Sequence, residues 1–227
     1  MKYRIEQVKK RIKDTAKACK RPMASIRLVA VSKTMPAEVV RDAIEAGILD
    51  LGENYIQEAK EKINALAAYP VTWHFIGHLQ SNKARYAVRL FDLIHSVDSL
   101  KLAQELNKYA KKNDKIQAIL IQVNVAKEVS KSGVYVEDTL HLLREVSRLE
   151  NIAVKGLMTM PPFFNAPQKA RPYFAALREL RDHIKLEAIS NISMDELSMG
   201  MTGDFETAIE EGATIVRIGT AIFGDRR

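Results

Sequence analysis

The chain has 227 residues, 47% of them hydrophobic, enough to bury one sizeable core. No apolar run approaches the roughly 18 residues of a transmembrane helix, residues 1–21 lack a signal-peptide core, and the lone Cys19 can form neither an internal disulfide nor a zinc site, so a cytosolic protein is expected. The net charge of +7 is carried by residues 1–25, where nine Lys/Arg stand against Glu6 and Asp14; the rest of the chain balances, which argues against a basic groove for nucleic acid.

Within residues 1–25, Ile5, Val8, Ile12 and Ala16 share one face at helical spacing, predicting a docked helix with a solvated basic face. From residue 26 onward short apolar runs alternate with amphipathic stretches. In chain order the pattern predicts strand 26–31, helix 37–46, strand 49–52, helix 56–68, strand 71–76, helix 83–90, strand 93–97 and helix 100–112. It continues as strand 116–123, helix 136–149, strand 154–158, helix 170–184, strand 196–198, helix 205–211 and strand 215–218. Pro36 marks a helix start, Asp98-Ser99 precedes another, and Gly47 and Gly212 stand just past helix ends. Strands separated by helices, with no hairpin signal, must run parallel, because parallel neighbours need a long crossover. Eight such strands predict an α/β fold, a single (β/α)8 TIM barrel over residues 26–227 with an extra N-terminal helix in residues 1–25, the chain 1–227 forming one domain. A doubly wound open sheet is the competing arrangement.

In such barrels chemistry sits at the C-terminal ends of the strands, so the residues after each apolar run are the candidates. Ser32-Lys33-Thr34 follows the first strand, and Lys33 is either a snorkelling surface residue or an amine inside the mouth. Glu53-Asn54-Tyr55 ends the second, where Glu53 and Asn54 can cap the next helix or line a pocket. His74 and His78 straddle a strand end and a glycine turn, without a third ligand, so no metal site is expected. Small residues and hydroxyls cluster from Ser198 to Asp204 and from Arg217 to Gly224, at the ends of strands seven and eight, the usual place for a phosphate in these barrels. An amine with a phosphate cradle suits a Schiff-base aldolase acting on a sugar phosphate, or a pyridoxal phosphate site. Arg217 favours the second, since a guanidinium beside a pyridine nitrogen donates a hydrogen bond and keeps that nitrogen unprotonated.

The blocks Ala30-Val31-Ser32-Lys33-Thr34, Gly52-Glu53-Asn54-Tyr55, Trp73 through Lys83, Gly156-Leu157-Met158-Thr159-Met160, Leu197 through Met201 and Val216 through Gly224 resemble the pyridoxal phosphate homeostasis protein family, in order along nearly the whole chain. The resemblance implies a fold like the barrel domain of alanine racemase (PLP fold type III) that binds pyridoxal 5'-phosphate (PLP). It implies Lys33 as the Schiff-base lysine, Ser198, Gly219 and Thr220 around the phosphate, and Arg217 facing the pyridine nitrogen, with Asn54, His78 and Met158 lining the cofactor. Leu51 in place of an aromatic residue, and the pair Pro161-Pro162, depart from the family pattern without touching these positions.

The same resemblance implies a role in intracellular vitamin B6 and amino-acid homeostasis. Racemisation needs a base on each face of the substrate carbon. Lys33 supplies one, and the chain stops at Arg227, before the second, β-rich domain from which alanine racemase-like enzymes take the other. The expectation is therefore a non-catalytic, cytoplasmic PLP carrier, with a low-activity amino-acid racemase as the alternative. It is expected to be a monomer without nucleic-acid or membrane partners, with PLP-dependent apoenzymes as candidate recipients of the cofactor.

Overall fold

In the computed structural model, which describes residues 1–128 and 131–224, the short apolar runs form strands that pair in parallel with their sequence neighbours. They are β1 (Arg27–Val31), β2 (Asp50–Glu53), β3 (Thr72–Phe75), β4 (Leu93–Val97), β5 (Gln117–Gln122), β6 (Ile152–Met158), β7 (Ile192–Ser198) and β8 (Ile215–Ile218). Pairing of β1 with β8 closes the barrel and excludes the open sheet. The chain end at Arg227 lies outside the described residues.

The crossovers carry α2 (Ala37–Glu45), α3 (Ile56–Ala65), α4 (Ala84–Leu90), α5 (Leu100–Lys111), α6 (Val136–Val146), α7 (Arg171–Leu186) and α8 (Phe205–Glu210). Helix α5 shows the local logic: the Ser99 hydroxyl accepts from the Leu102 amide at its start, and Leu102, Ala103, Leu106 and Ala110 bury one face. Strand β7 begins at Ile192, earlier than the apolar pattern suggests, because polar Ser193, Asp195 and Glu196 interrupt it. A short α9 (Thr220–Phe223) follows β8, where no helix is predicted.

Helix α1 (Lys2–Ala18) buries Ile5, Val8, Ile12 and Ala16, as its periodicity requires. Its basic face is only partly solvated. Lys9 donates to the Gly47 carbonyl and Arg11 pairs with Glu206. Beyond the helix, Arg21 donates to the carbonyls of Ile209 and Ala213 at 2.9 and 2.8 Å. Among the described residues no helix is long and apolar enough to cross a membrane.

Side chains alternate along a strand, and residues in register on parallel neighbours face the same way. The Cα pairings Val29 with Asp50 and Arg217, His74 with Leu93, and Ser198 with Met158 and Ile215 therefore place all these side chains in the barrel lumen. One half of the lumen is apolar, a cluster of Val29, Leu93, Leu120, Met158 and Ile215. The other half is polar and holds Asp50, His74, His95, Ser198 and Arg217. The larger core fills the space between strands and helices.

Candidate functional site

Lys33 stands half-buried in the turn after β1, and that turn is held on both sides of it. From α3, the buried Lys62 amine donates to the Ser32 carbonyl at 2.6 Å, to Glu53 at 2.7 Å and to Glu58 at 2.5 Å. Glu53 also accepts from the Ser32 hydroxyl at 2.6 Å, and Glu58 accepts from the Thr34 amide. Thr34 adopts a left-handed conformation (φ 67°), which turns the chain sharply toward α2. Glu53 neither caps α3, whose N-cap residue is Tyr55, nor reaches the mouth; it is wholly buried against Lys62. Burial pushes its carboxyl pKa up, against the hydrogen bonds from Lys62 and Ser32 and the Lys62 charge, which pull it down.

Lys33 opens onto two cavities at the C-terminal end of the barrel, of about 310 and 260 Å³, which share Val31, Lys33, Met201 and Arg217 in their walls. The first is completed by Asn54, His78, Gln122, Lys131 and Met160. Asn54 Oδ1 is buried with no hydrogen-bond partner among the described residues, an acceptor left for a ligand. Gly77 lets the end of β3 pass close to Asn54: a β-carbon there would lie 2.3 Å from the Asn54 carbonyl oxygen. His78 points into this cavity with Nδ1 3.2 Å from the Ser132 hydroxyl, whereas His74 faces the lumen, so the two histidines do not converge.

The second cavity is rimmed by Thr202, Gly203, Gly219 and Thr220. Gly200 (φ +91°) begins the first of these turns with its α-carbon against α8, where a β-carbon would meet the Ala208 methyl at 2.6 Å. Asp204 Oδ1 accepts from the Met201 amide at 2.7 Å and closes the turn. Burial raises the Asp204 carboxyl pKa, while that backbone hydrogen bond and the Arg217 charge oppose the shift. Arg217 reaches the floor of both cavities from within β8. Its Nη1 donates to the Ser198 hydroxyl at 2.6 Å and its Nη2 to the Thr159 carbonyl at 3.0 Å. Burial lowers the guanidinium pKa to about 10, with Asp204 opposing the shift, so it remains a cation at neutral pH.

Lys33, Asn54, His78, Arg217, Gly219 and Thr220 are thus brought together. Two expected site residues are placed elsewhere. Ser198 is wholly buried beneath the cavities, its hydroxyl engaged by Arg217 and His95. Met158 packs in the apolar half of the lumen. Thr202 and Met160, a few residues further along the same segments, occupy the cavity walls instead. The signal for both lies in their distance from the strand ends: apart from Val31, Gln122 and Arg217, which reach the cavities from within β1, β5 and β8, mouth residues lie past the last strand residue, as Lys33, Asn54, His78, Thr202 and Thr220 do by one to four positions.

Comparison with known proteins agrees with this architecture. Residues 4–227 match the family model for the alanine racemase N-terminal domain. Over 224 residues the chain is 46% identical to the pyridoxal phosphate homeostasis protein of Aquifex aeolicus, covering 99% of this chain and 97% of that one. This chain belongs to the pyridoxal phosphate homeostasis protein family. The family member from Pseudomonas aeruginosa is 46% identical over 222 residues, 98% of this chain and 94% of that one. Among solved structures, PipY of Synechococcus elongatus with PLP bound aligns with TM-score 0.83 and 36% identity, covering 94% of this chain and the whole of that one. An alanine racemase of Clostridium difficile shares the fold at TM-score 0.74 and 15% identity, with 96% of this chain spanning 55% of that one.

Proposed function

We propose that the protein holds pyridoxal 5'-phosphate at the barrel mouth as a Schiff base with Lys33, and serves vitamin B6 homeostasis without rapid turnover. The observation that carries this reading is the convergence of Lys33 and Arg217 on two joined cavities, one containing the unpartnered Asn54 Oδ1 and the other rimmed by hydroxyls and glycines. These residues fit the cofactor. Thr202, Gly203, Gly219 and Thr220 would hold its phosphate, Arg217 would donate to the ring nitrogen, and Asn54 and His78 would flank the ring. PLP bound by PipY, a relative with 36% identity, supports PLP as the ligand. The cofactor supplies an aldehyde that condenses with an amine, releasing water.

The chain's own residues do the rest. The Lys62–Glu53–Glu58 network fixes the backbone on both sides of Lys33, so the turn that carries the amine is held in place before a ligand arrives. Arg217 can only donate, so a ring nitrogen held by it would stay unprotonated and would be a poor electron sink. That property favours carriage over carbanion chemistry. A slow racemase is the second reading, favoured by His78, a proton-carrying group in the same cavity as Lys33.

Titration of the purified protein with PLP is expected to give an absorption band near the visible edge that Lys33→Ala abolishes. Protein that is colourless once unbound PLP has been removed would return the site to the aldolase reading. Incubation of the loaded protein with L- and D-amino acids separates the other two, since racemisation well above that of free PLP overturns carriage. The proposal extends to a cytosolic monomer that passes PLP to apoenzymes, checked by light scattering and by reactivation of a PLP-dependent apoenzyme with loaded protein.

A further inference from the structure

Five side chains in the polar half of the lumen are joined end to end. Arg217 Nη1 lies 2.6 Å from Ser198 Oγ, which lies 2.8 Å from His95 Nδ1. His95 Nε2 lies 2.9 Å from His74 Nδ1, and His74 Nε2 lies 3.0 Å from Asp50 Oδ1 at the opposite end of the barrel. Both imidazoles are completely buried and meet edge to face. The two ends of this chain are chemically fixed, since a guanidinium only donates and a carboxylate only accepts.

With both rings neutral, every proton between those ends is assigned. Asp50 requires N–H at His74 Nε2, which leaves Nδ1 an acceptor. His95 must then carry its proton on Nε2 and accept at Nδ1, and the Ser198 hydroxyl donates to it while accepting from Arg217. Burial, the His74 ring and the charges of Arg217 and Arg27 all hold the His95 pKa well below that of an ordinary histidine. Asp50 is also near Arg27, at 3.8 Å, so its charge is shared at the barrel's far end. Arg217 has no carboxylate within ion-pair distance among the described residues, and Asp204 acts on it only at longer range.

We infer that His74 and His95 are positioning residues for Arg217. As Nε2–H tautomers they draw the Ser198 proton toward His95 and away from the guanidinium, so that toward Arg217 the Ser198 oxygen is an acceptor that aims the guanidinium at the mouth without neutralising it. The polarity of the relay is a property of the protein alone. Its consequence for the ring nitrogen rests on the cofactor reading above.

Nitrogen-15 NMR of the histidine rings in the isolated protein near neutral pH tests the relay directly. The expected result is two neutral rings, each protonated at Nε2. A charged His74 beside a His95 protonated at Nδ1, the reversed polarity, would overturn the inference. The second arm is PLP titration of Ser198→Ala, His95→Leu and the double variant. Each single change is expected to raise Kd about tenfold, the scale set when a buried donor loses its acceptor. The double variant should be within about twofold of the worse single one, because both act through one contact; losses that multiply would overturn the inference. If His95→Leu fails to fold, Ser198→Ala alone is informative, since the His95 Nδ1 resonance must shift when its donor is removed, and an unmoved resonance overturns the relay. A wild-type protein that binds no PLP would end the proposed function and leave the NMR result to judge the relay.

Discussion

Replacing Lys62 by methionine keeps most of the apolar stem and removes the cation that lies 2.7 Å from the wholly buried Glu53. Removing one partner of a buried pair costs about 3–5 kcal/mol, because the remaining charge is left in a dry interior. For a chain of this size that corresponds to a fall in Tm of roughly 6–20 °C. The loss should depend on pH with a definite sign. Burial already raises the Glu53 pKa above its ordinary value, and the lost Lys62 hydrogen bond and charge, both of which lower it, would let it rise further. A carboxyl with a raised pKa in the folded state contributes stability that is full below its unfolded pKa and is lost as pH rises through the folded one. Urea unfolding followed by circular dichroism should therefore show a larger loss for Lys62→Met at neutral pH than at about pH 5. Adding Glu53→Gln should restore most of the difference at neutral pH, since an amide needs no cation. Because Lys62 also holds the Ser32 carbonyl, PLP affinity should fall in parallel. Equal destabilisation at both pH values, or no destabilisation at neutral pH, would refute the role given to this network.

Thr202→Ala should weaken PLP binding about tenfold and leave pyridoxal, which lacks the phosphate, unaffected; equal losses for the two ligands in paired titrations would remove Thr202 from the phosphate rim. Gly77→Ala places a β-carbon 2.3 Å from the Asn54 carbonyl oxygen. It should destabilise the fold by about 1–3 kcal/mol and weaken PLP binding, with unchanged melting and affinity as the contrary outcome. Arg21→Met removes two hydrogen bonds to carbonyls at the end of α8 and just beyond it, and should cost about 1–3 kcal/mol in urea unfolding; a neutral result would mean the basic segment is not anchored there.

The barrel was legible because each strand is a short apolar run bounded by a helix pattern, and parallel strands leave few other arrangements. Helix α1 was equally plain, since Ile5, Val8, Ile12 and Ala16 mark its buried face. Lys33, Asn54 and Arg217 could be chosen because the ends of parallel strands form the mouth. What the sequence hid was depth. Met158 and Ser198 are the last residues of β6 and β7 and stay inside the lumen, whereas Met160 and Thr202 lie far enough past the strand ends to reach the cavities. The partner of Glu53 was hidden for another reason. Lys62 looks like one more charge on an amphipathic helix, and only the packing of α3 against the end of β2 brings it under the turn that carries Lys33. The relay from Arg217 to Asp50 is likewise invisible in sequence, because its members come from five different strands.

The most direct measurement is reductive trapping. The protein is saturated with PLP, treated with sodium borohydride to convert a carbon–nitrogen double bond into a stable secondary amine, digested, and mapped by mass spectrometry. A pyridoxyl group on Lys33 and on no other lysine is the expected result. Label on another lysine with Lys33 unmodified, or no stable label at all, would contradict the assignment of the Lys33 amine as the point of attachment.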